Sequence, residues 1–185
     1  MVSSNTLHVI STEVAIGAYA TAGVAFLLAG VASHGWLRSG RHLRMADMTA
    51  HFALAFGLLA MPFAMVTGIP SSPGESVDHP LLLNKMLLGS AAIGLALGVL
   101  LTRRRLGAHV WSDRWGRRWQ SLGGLLAVGM VLITASMGGT YSRGESLLDG
   151  LSLPYDQVPL MPLWLSVVVM VLAVLNLVTV RRSSA

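Results

Sequence analysis

The sequence has no cysteine and few charged residues. Without cysteine, the chain cannot form disulfides, thiolate-ligated iron–sulfur clusters, zinc–thiolate sites or the covalent attachment of c-type haem. Only 11% of its 185 residues are charged, compared with about 25% in soluble domains, whereas 54% are hydrophobic. So few charges cannot cover a water-facing surface. We therefore expect a single transmembrane domain over 1–185, in which any metal is held by histidine, methionine or carboxylate.

Five apolar runs are long enough to cross the hydrocarbon core of a bilayer, which takes about 20 helical residues. They cover residues 12–36, 46–68, 80–102, 119–139 and 160–180. The sequence thus predicts an all-α integral membrane protein with five transmembrane helices, of which helices one to four form a bundle. Small residues such as Gly94 and Gly98, four apart in the third helix, favour close helix packing.

The basic residues lie almost entirely on one side of these predicted helices. Eleven of the thirteen are found there: Arg38, Arg41, Arg44, Arg103, Arg104, Arg105, Arg114, Arg117, Arg118, Arg181 and Arg182. By the positive-inside rule, the N-terminus is outside and the C-terminus is in the cytoplasm of a prokaryotic cytoplasmic (inner) membrane. The pI near 10.7 therefore reflects membrane topology, and nucleic acid is not an expected partner.

Two connecting segments have features of their own. Tryptophans at 111, 115 and 119 recur every four residues, which predicts an interfacial amphipathic segment over 106–118 with arginines directed at lipid phosphates. The alternative for this segment is a docking face for a cytoplasmic partner. The outer loop 140–159 is long for a small bundle, and loops of this length are often functional. It is predicted either to contact an extracytoplasmic redox protein or to cover an outer site.

Four of the six histidines lie near the ends of the predicted helices. His34 and His51, the latter inside the apolar run TAHFALAF (49–56), are expected on the cytoplasmic side. His8 and His79 are expected on the outer side. Two neutral imidazoles on facing membrane helices can ligate the iron of haem b, so each pair is a candidate metal site. The alternative is that these imidazoles only form hydrogen bonds between helices.

Lys85 is the only lysine of the chain and lies beside Asn84 near the start of the third predicted helix. Its stem allows the ammonium to turn outward and pair with Glu75 or Asp78. Alternatively, Lys85 contacts a haem propionate or a quinone head group, and Asn84 donates a hydrogen bond in the same pocket. The sequence leaves both alternatives open.

Three segments carry a family resemblance: LHVISTEVAIGAYATAGVAFLLAG (7–30), ALAFGLLAMPFAMVTGI with HPLLLNK (53–85), and SMGGTYSRG (136–144). Together they resemble an uncharacterised bacterial family of four-helix membrane proteins, whose members also occur fused to Rieske and c-type cytochrome modules. The resemblance singles out His8, His79, Gly138 and Gly139 and implies a membrane partner for redox modules. The chain departs from the family in its fifth predicted helix. It also has Glu13, and no second histidine, after the leading Leu-His.

Two functional hypotheses follow from these patterns. In the first, the chain is an integral membrane subunit of a respiratory or related electron-transfer complex, binds haem b through histidines and communicates with quinone. In the second, it is a cofactor-free accessory subunit that stabilises a larger membrane complex. Both predict other subunits and lipids as partners, and neither predicts an enzyme by itself. A small transporter or channel agrees less well with the sequence, because the predicted helices have no polar stripe that could form a path across the membrane.

Overall fold

The computed structural model describes residues 3–34, 40–70, 79–146 and 148–153, together with 157, 167 and 171. Within these ranges the chain is helical and contains no strand. The long elements are α1 (Ser4–Ser33), α2 (Gly40–Gly68), α3 (Pro80–Leu106) and α4 (Arg114–Arg143). A 3₁₀ helix, Gly107–Trp111, connects α3 to α4, and another, Asp149–Leu151, follows α4.

Each of these four long helices has the length and apolar composition needed to cross a membrane. The all-helical membrane class predicted from the sequence is thereby confirmed, and the chain is a multi-pass membrane protein. The predicted fifth helix, 160–180, lies outside the described residues apart from Val167 and Val171. Five helices and the orientation of the termini remain predictions.

The observed helices extend beyond the apolar runs, and local features set three of their ends. The α1 helix begins at Ser4 rather than near residue 12, since the Ser3 hydroxyl accepts a hydrogen bond from the Thr6 amide. The α3 helix continues to Leu106 and stops where Gly107 takes a φ of +60°. The α4 helix begins at Arg114, since the Asp113 side chain accepts from the Gly116 amide.

The segment 106–118, predicted to be interfacial and amphipathic, is not one continuous helix. It comprises the end of α3, the 3₁₀ helix Gly107–Trp111 and the first turn of α4. The break turns Trp111 into the interior, where it is 4% exposed, whereas Trp115 and Trp119 are 73% and 49% exposed. A hydrogen bond from the Trp111 indole to Asp47 accounts for the difference.

Helix packing is closest where glycines let a neighbouring side chain approach the backbone. The α1 helix packs mainly on α2, and the α3 helix packs mainly on α4. Contact between α1 and α4 is less extensive, and α2 and α3 make the least contact of these four pairs. A Cβ atom at Gly124 of α4 would lie 2.6 Å from the Phe26 ring of α1. At Gly94 and Gly98 a Cβ atom would meet nothing within 4 Å among the described residues, so the predicted contact at this pair is not made there.

Because successive helices run in opposite directions, the bundle has two chemically different ends. The end of α1, the start of α2, the end of α3 and the start of α4 lie together, as contacts from Phe26 to His51 and from Gln120 to Val99 indicate. The described arginines other than Arg143 lie here, and we call this the arginine-rich end. The other end holds the start of α1 and α3.

Candidate functional site

A cavity of 360 Å³ lies between all four helices at the end opposite the arginines. Most of the residues that line it are apolar, and four have polar side chains: His8, Thr12, Lys85 and Thr134. Its volume falls within the range of about 300–1,000 Å³ that is usual for small-molecule sites. We call it the His8–Lys85 cavity. Two of the six predicted site residues thus meet in one place.

One ring nitrogen of His8 is engaged in a hydrogen bond, and the other is available as an acceptor. Its Nδ1 lies 3.0 Å from the Ala64 carbonyl oxygen, and a carbonyl can only accept. Nδ1 therefore carries a proton, which leaves the lone pair of the neutral ring on Nε2. Nε2 has no hydrogen-bond partner among the described residues. Gly68 makes room for the ring, since a Cβ atom there would lie 3.0 Å from its Cε1.

Lys85 lines the same cavity. Its Nζ lies beside α4, 3.1 Å from where a Cβ atom of Gly138 would be. The two ion pairs found among the described residues both involve Asp47 and neither involves Lys85. Its predicted partners Glu75 and Asp78 lie outside the described residues. Within the described part of the cavity, the ammonium therefore has N–H groups available to a ligand.

Asn84 and His79, the other residues predicted for this end, are not among those lining the cavity. The Asn84 amide donates to the Gln157 carbonyl at 2.7 Å and so ties the loop after α4 to α3. His79 immediately precedes α3, and its ring packs edge-on against Tyr141 at 5.1 Å between centroids. The structure therefore does not bring His8 and His79 into one cavity.

A second polar group is buried at the arginine-rich end around Asp47, which is 4% exposed. Its carboxylate accepts hydrogen bonds from Arg103 Nη2 at 2.6 Å and from the Trp111 indole at 2.7 Å. His51, one turn further along α2, places Nδ1 3.0 Å from the same carboxylate and 2.8 Å from the Asp47 carbonyl. Together with Gln120 we call these residues the Asp47 cluster.

Gln120 determines where His51 carries its protons. The Gln120 amide nitrogen donates to the Val99 carbonyl at 3.1 Å, so its Oε1 is the atom that faces His51 Nε2 at 3.0 Å. Both nitrogens of His51 therefore face acceptors, and both carry protons. His51 is an imidazolium paired with the Asp47 carboxylate, and it has no lone pair for a metal in this arrangement.

His34 lies apart from this cluster, exposed at the end of α1. Its Nδ1 donates to the Gly30 carbonyl at 2.8 Å, one turn back in the same helix. The ring lines a surface pocket beside Trp115 and Arg118, and His51 is not among the residues of that pocket. The predicted inner pair, His34 and His51, is thus not assembled into one site.

Sequence reasoning missed four members of the Asp47 cluster: Asp47, Arg103, Trp111 and Gln120. One signal was present, because Asp47 lies inside an apolar helix with a histidine four residues later, and residues four apart share a helix face. From the sequence, Arg103 indicates only membrane topology and Trp111 only a position at the membrane interface.

Comparison of the chain with family models, with curated proteins and with solved structures finds no match in any of the three. The family resemblance of the sequence stays a prediction. Geometry and residue chemistry are therefore the basis for assigning a function.

Proposed function

We propose that this chain is an integral membrane subunit of an electron-transfer complex and that it binds a quinone head group in the His8–Lys85 cavity. One observation carries the proposal: a largely apolar cavity is lined by the only lysine of the chain, whose ammonium is a donor, and by His8, whose free Nε2 is an acceptor. We place the protein in a prokaryotic cytoplasmic membrane, with the arginine-rich end toward the cytoplasm and the cavity toward the outer face.

The two polar groups match the two redox forms of a quinone. An oxidised quinone presents carbonyl oxygens, which accept hydrogen bonds from the Lys85 ammonium. A quinol presents hydroxyl groups, one of which donates to Nε2 of His8. The hydrogen bond from Nδ1 to Ala64 fixes the orientation of the imidazole, so Nε2 is placed to accept the quinol proton as a base.

The cavity has a hydrophobic route to the bilayer between α2 and α3. These two helices make the least contact of the helix pairs that pack in the described bundle. Met65 of α2 and Met86 of α3 line the cavity and are also 41% and 40% exposed at the surface. Flexible thioether side chains adapt to irregular apolar ligands, so a prenyl tail can leave the cavity between them.

Haem b, which the sequence predicts, agrees less well with the described arrangement. His51 has no free lone pair, and neither predicted histidine pair faces one shared cavity. Ligation by these pairs is therefore not part of the proposal, and haem b stays a prediction of the sequence.

A cofactor-free accessory subunit is the second candidate. The Asp47 cluster favours it, because this cluster joins α2, α3 and α4 through groups that already have partners. In that case the cavity has no specific affinity for quinone. Under either candidate, we propose other subunits of a redox complex as partners, with the loop 140–159 as the surface that contacts an extracytoplasmic redox protein.

Replacing Lys85 by Met or His8 by Phe is expected to weaken quinone binding about tenfold, the factor that corresponds to one hydrogen bond to a charged or buried group. Lys85→Met keeps most of the side-chain length but removes the ammonium, and His8→Phe keeps an aromatic ring but removes both nitrogens. Binding of a short-tailed benzoquinone to the purified protein in lipid nanodiscs is measured by isothermal titration calorimetry.

The matched controls are Arg104→Met and His109→Phe, which remove one positive charge and one imidazole from exposed positions at the arginine-rich end. Both controls are expected to bind the quinone as the unmodified protein does. If the unmodified protein shows no saturable binding, or if the controls lose as much affinity as the cavity variants, the quinone proposal is wrong and the accessory-subunit candidate is favoured.

A further inference from the structure

We infer that a separate site, where the end of α1 meets the start of α4, binds the phosphate group of an anionic phospholipid. The site is a surface pocket of 540 Å³ lined by His34, Trp115, Arg117, Arg118, Trp119, Ser121 and Leu122. We call it the Arg117 pocket. It lies at the arginine-rich end, so it is independent of the quinone proposed at the other end.

Arg117 and Ser121 line this pocket, and each carries a buried polar atom without a partner among the described residues. The guanidinium of Arg117 is fixed by one hydrogen bond, from Nη1 to the Ser33 carbonyl at 2.9 Å, which also caps the end of α1. The Nε of Arg117 and the hydroxyl of Ser121, one turn further along α4, are buried and have no partner among the described residues. Buried polar atoms nearly always have partners, so these two leave unused hydrogen-bonding capacity at the wall of the pocket, which a small turn of either side chain would offer to an acceptor.

Arg118 adds a second guanidinium to the pocket. Its Cζ lies 5.4 Å from the centroid of the Trp115 ring, an arrangement that holds the cation at the surface. No acidic side chain lines the described pocket, and the neighbouring Asp113 is engaged in capping α4 through the Gly116 amide. The pocket therefore has an excess of positive charge. A phosphate group is suited to neutralise this charge, because a guanidinium can bind phosphate through two parallel hydrogen bonds.

The surroundings of the pocket favour a lipid as the source of that phosphate. Trp115, Trp119 and Leu122 are exposed next to the arginines. Tryptophans in this setting occupy the headgroup level of the bilayer, and the leucine would contact acyl chains. Two guanidiniums without an acidic partner favour a headgroup of net negative charge, such as phosphatidylglycerol, over phosphatidylcholine, which carries its own ammonium.

Native mass spectrometry of the full-length protein in detergent tests this site with added phosphatidylglycerol, phosphatidylcholine or inorganic phosphate. We expect one phosphatidylglycerol to bind in preference to phosphatidylcholine and to resist displacement by inorganic phosphate. Arg118→Gln is expected to weaken phosphatidylglycerol binding about tenfold. Arg117→Lys should weaken it to a similar degree while keeping the charge and a donor for Ser33, because lysine lacks the planar fork.

The control is Arg104→Gln, which removes the same charge from an exposed position at the same end but outside the pocket. It is expected to bind phosphatidylglycerol as the unmodified protein does. Equal binding of the two lipids, or an equal loss in Arg104→Gln, would overturn the site in favour of nonspecific charge attraction. Displacement of the lipid by inorganic phosphate would overturn the lipid assignment in favour of a soluble phosphate compound. Thermal melts confirm that each variant is folded.

Discussion

Replacing Asp47 by Ala is expected to lower the free energy of unfolding by about 3 kcal/mol, since removing one partner of a buried ion pair leaves the other charge uncompensated. The Asp47 carboxylate accepts from Arg103, Trp111 and His51 within 3.0 Å. Without it, the imidazolium of His51 loses its opposite charge, and the buried indole N–H of Trp111 loses its acceptor. Arg103 is partly exposed and can turn toward the interface, which keeps the loss at the lower end of the range for buried pairs.

Thermal unfolding in detergent, followed by tryptophan fluorescence, measures this effect. A loss of about 3 kcal/mol corresponds to a decrease in Tm of roughly 10 °C for a chain of this size. Glu13→Ala is the control, because Glu13 is exposed on α1 and its removal is expected to change stability by no more than about 0.5 kcal/mol. A Tm for Asp47→Ala close to that of the control would show that the Asp47 cluster does not stabilise the bundle.

Replacing Gly124 by Ala is expected to destabilise the protein by about 2 kcal/mol, the usual effect of adding a methyl group to a filled interior. The new Cβ would lie 2.6–2.7 Å from three carbon atoms of the Phe26 ring, and Phe26 is fully buried. The ring cannot turn away as a flexible side chain would, so α1 and α4 must move apart. The same thermal melts, read as a decrease in Tm, test this prediction.

Gly129→Ala is the matched control, since it makes the same change in the same helix where a Cβ atom would meet nothing within 4 Å. It is expected to raise stability by up to about 1 kcal/mol, because alanine favours the helix over glycine. The double variant Gly124→Ala with Phe26→Leu should be more stable than Gly124→Ala with Phe26 intact, because the smaller side chain relieves the contact. A destabilised Gly129→Ala, or no recovery in the double variant, would contradict a close contact between α1 and α4 at Phe26.

The existence of the four described helices could be predicted from sequence, but their ends could not. Twenty consecutive apolar residues identify a membrane helix by composition alone. The helix ends depend on individual hydrogen bonds, such as the one that the Ser3 hydroxyl accepts, and on the positive φ of Gly107. Hydropathy carries no information about either feature. The position of Trp111 depends on Asp47, 64 residues earlier in the chain, so helical periodicity alone placed this indole on the wrong surface.

Individual residues of the candidate site could be predicted from the sequence, but their arrangement in space could not. His8 and Lys85 stood out because an imidazole and a lone ammonium are unusual in an apolar chain. Their meeting in one cavity depends on how α1 and α3 pack, which the sequence does not specify. His51 stood out for the same reason, but its acceptor Gln120 lies 69 residues away, and only that contact shows that the ring cannot offer a lone pair.

Photolabelling of the protein in nanodiscs with an azido-benzoquinone, followed by mass spectrometry of the labelled peptides, tests directly whether the His8–Lys85 cavity binds quinone. We predict that the label attaches to residues between 61 and 69, at the end of α2 and just after it, and between 82 and 89 of α3, where the lining residues of the His8–Lys85 cavity lie. We also predict that Lys85→Met strongly reduces the labelling. Labelling spread over the lipid-exposed surface, or labelling of the cavity that is unchanged in Lys85→Met, would contradict the proposed quinone site.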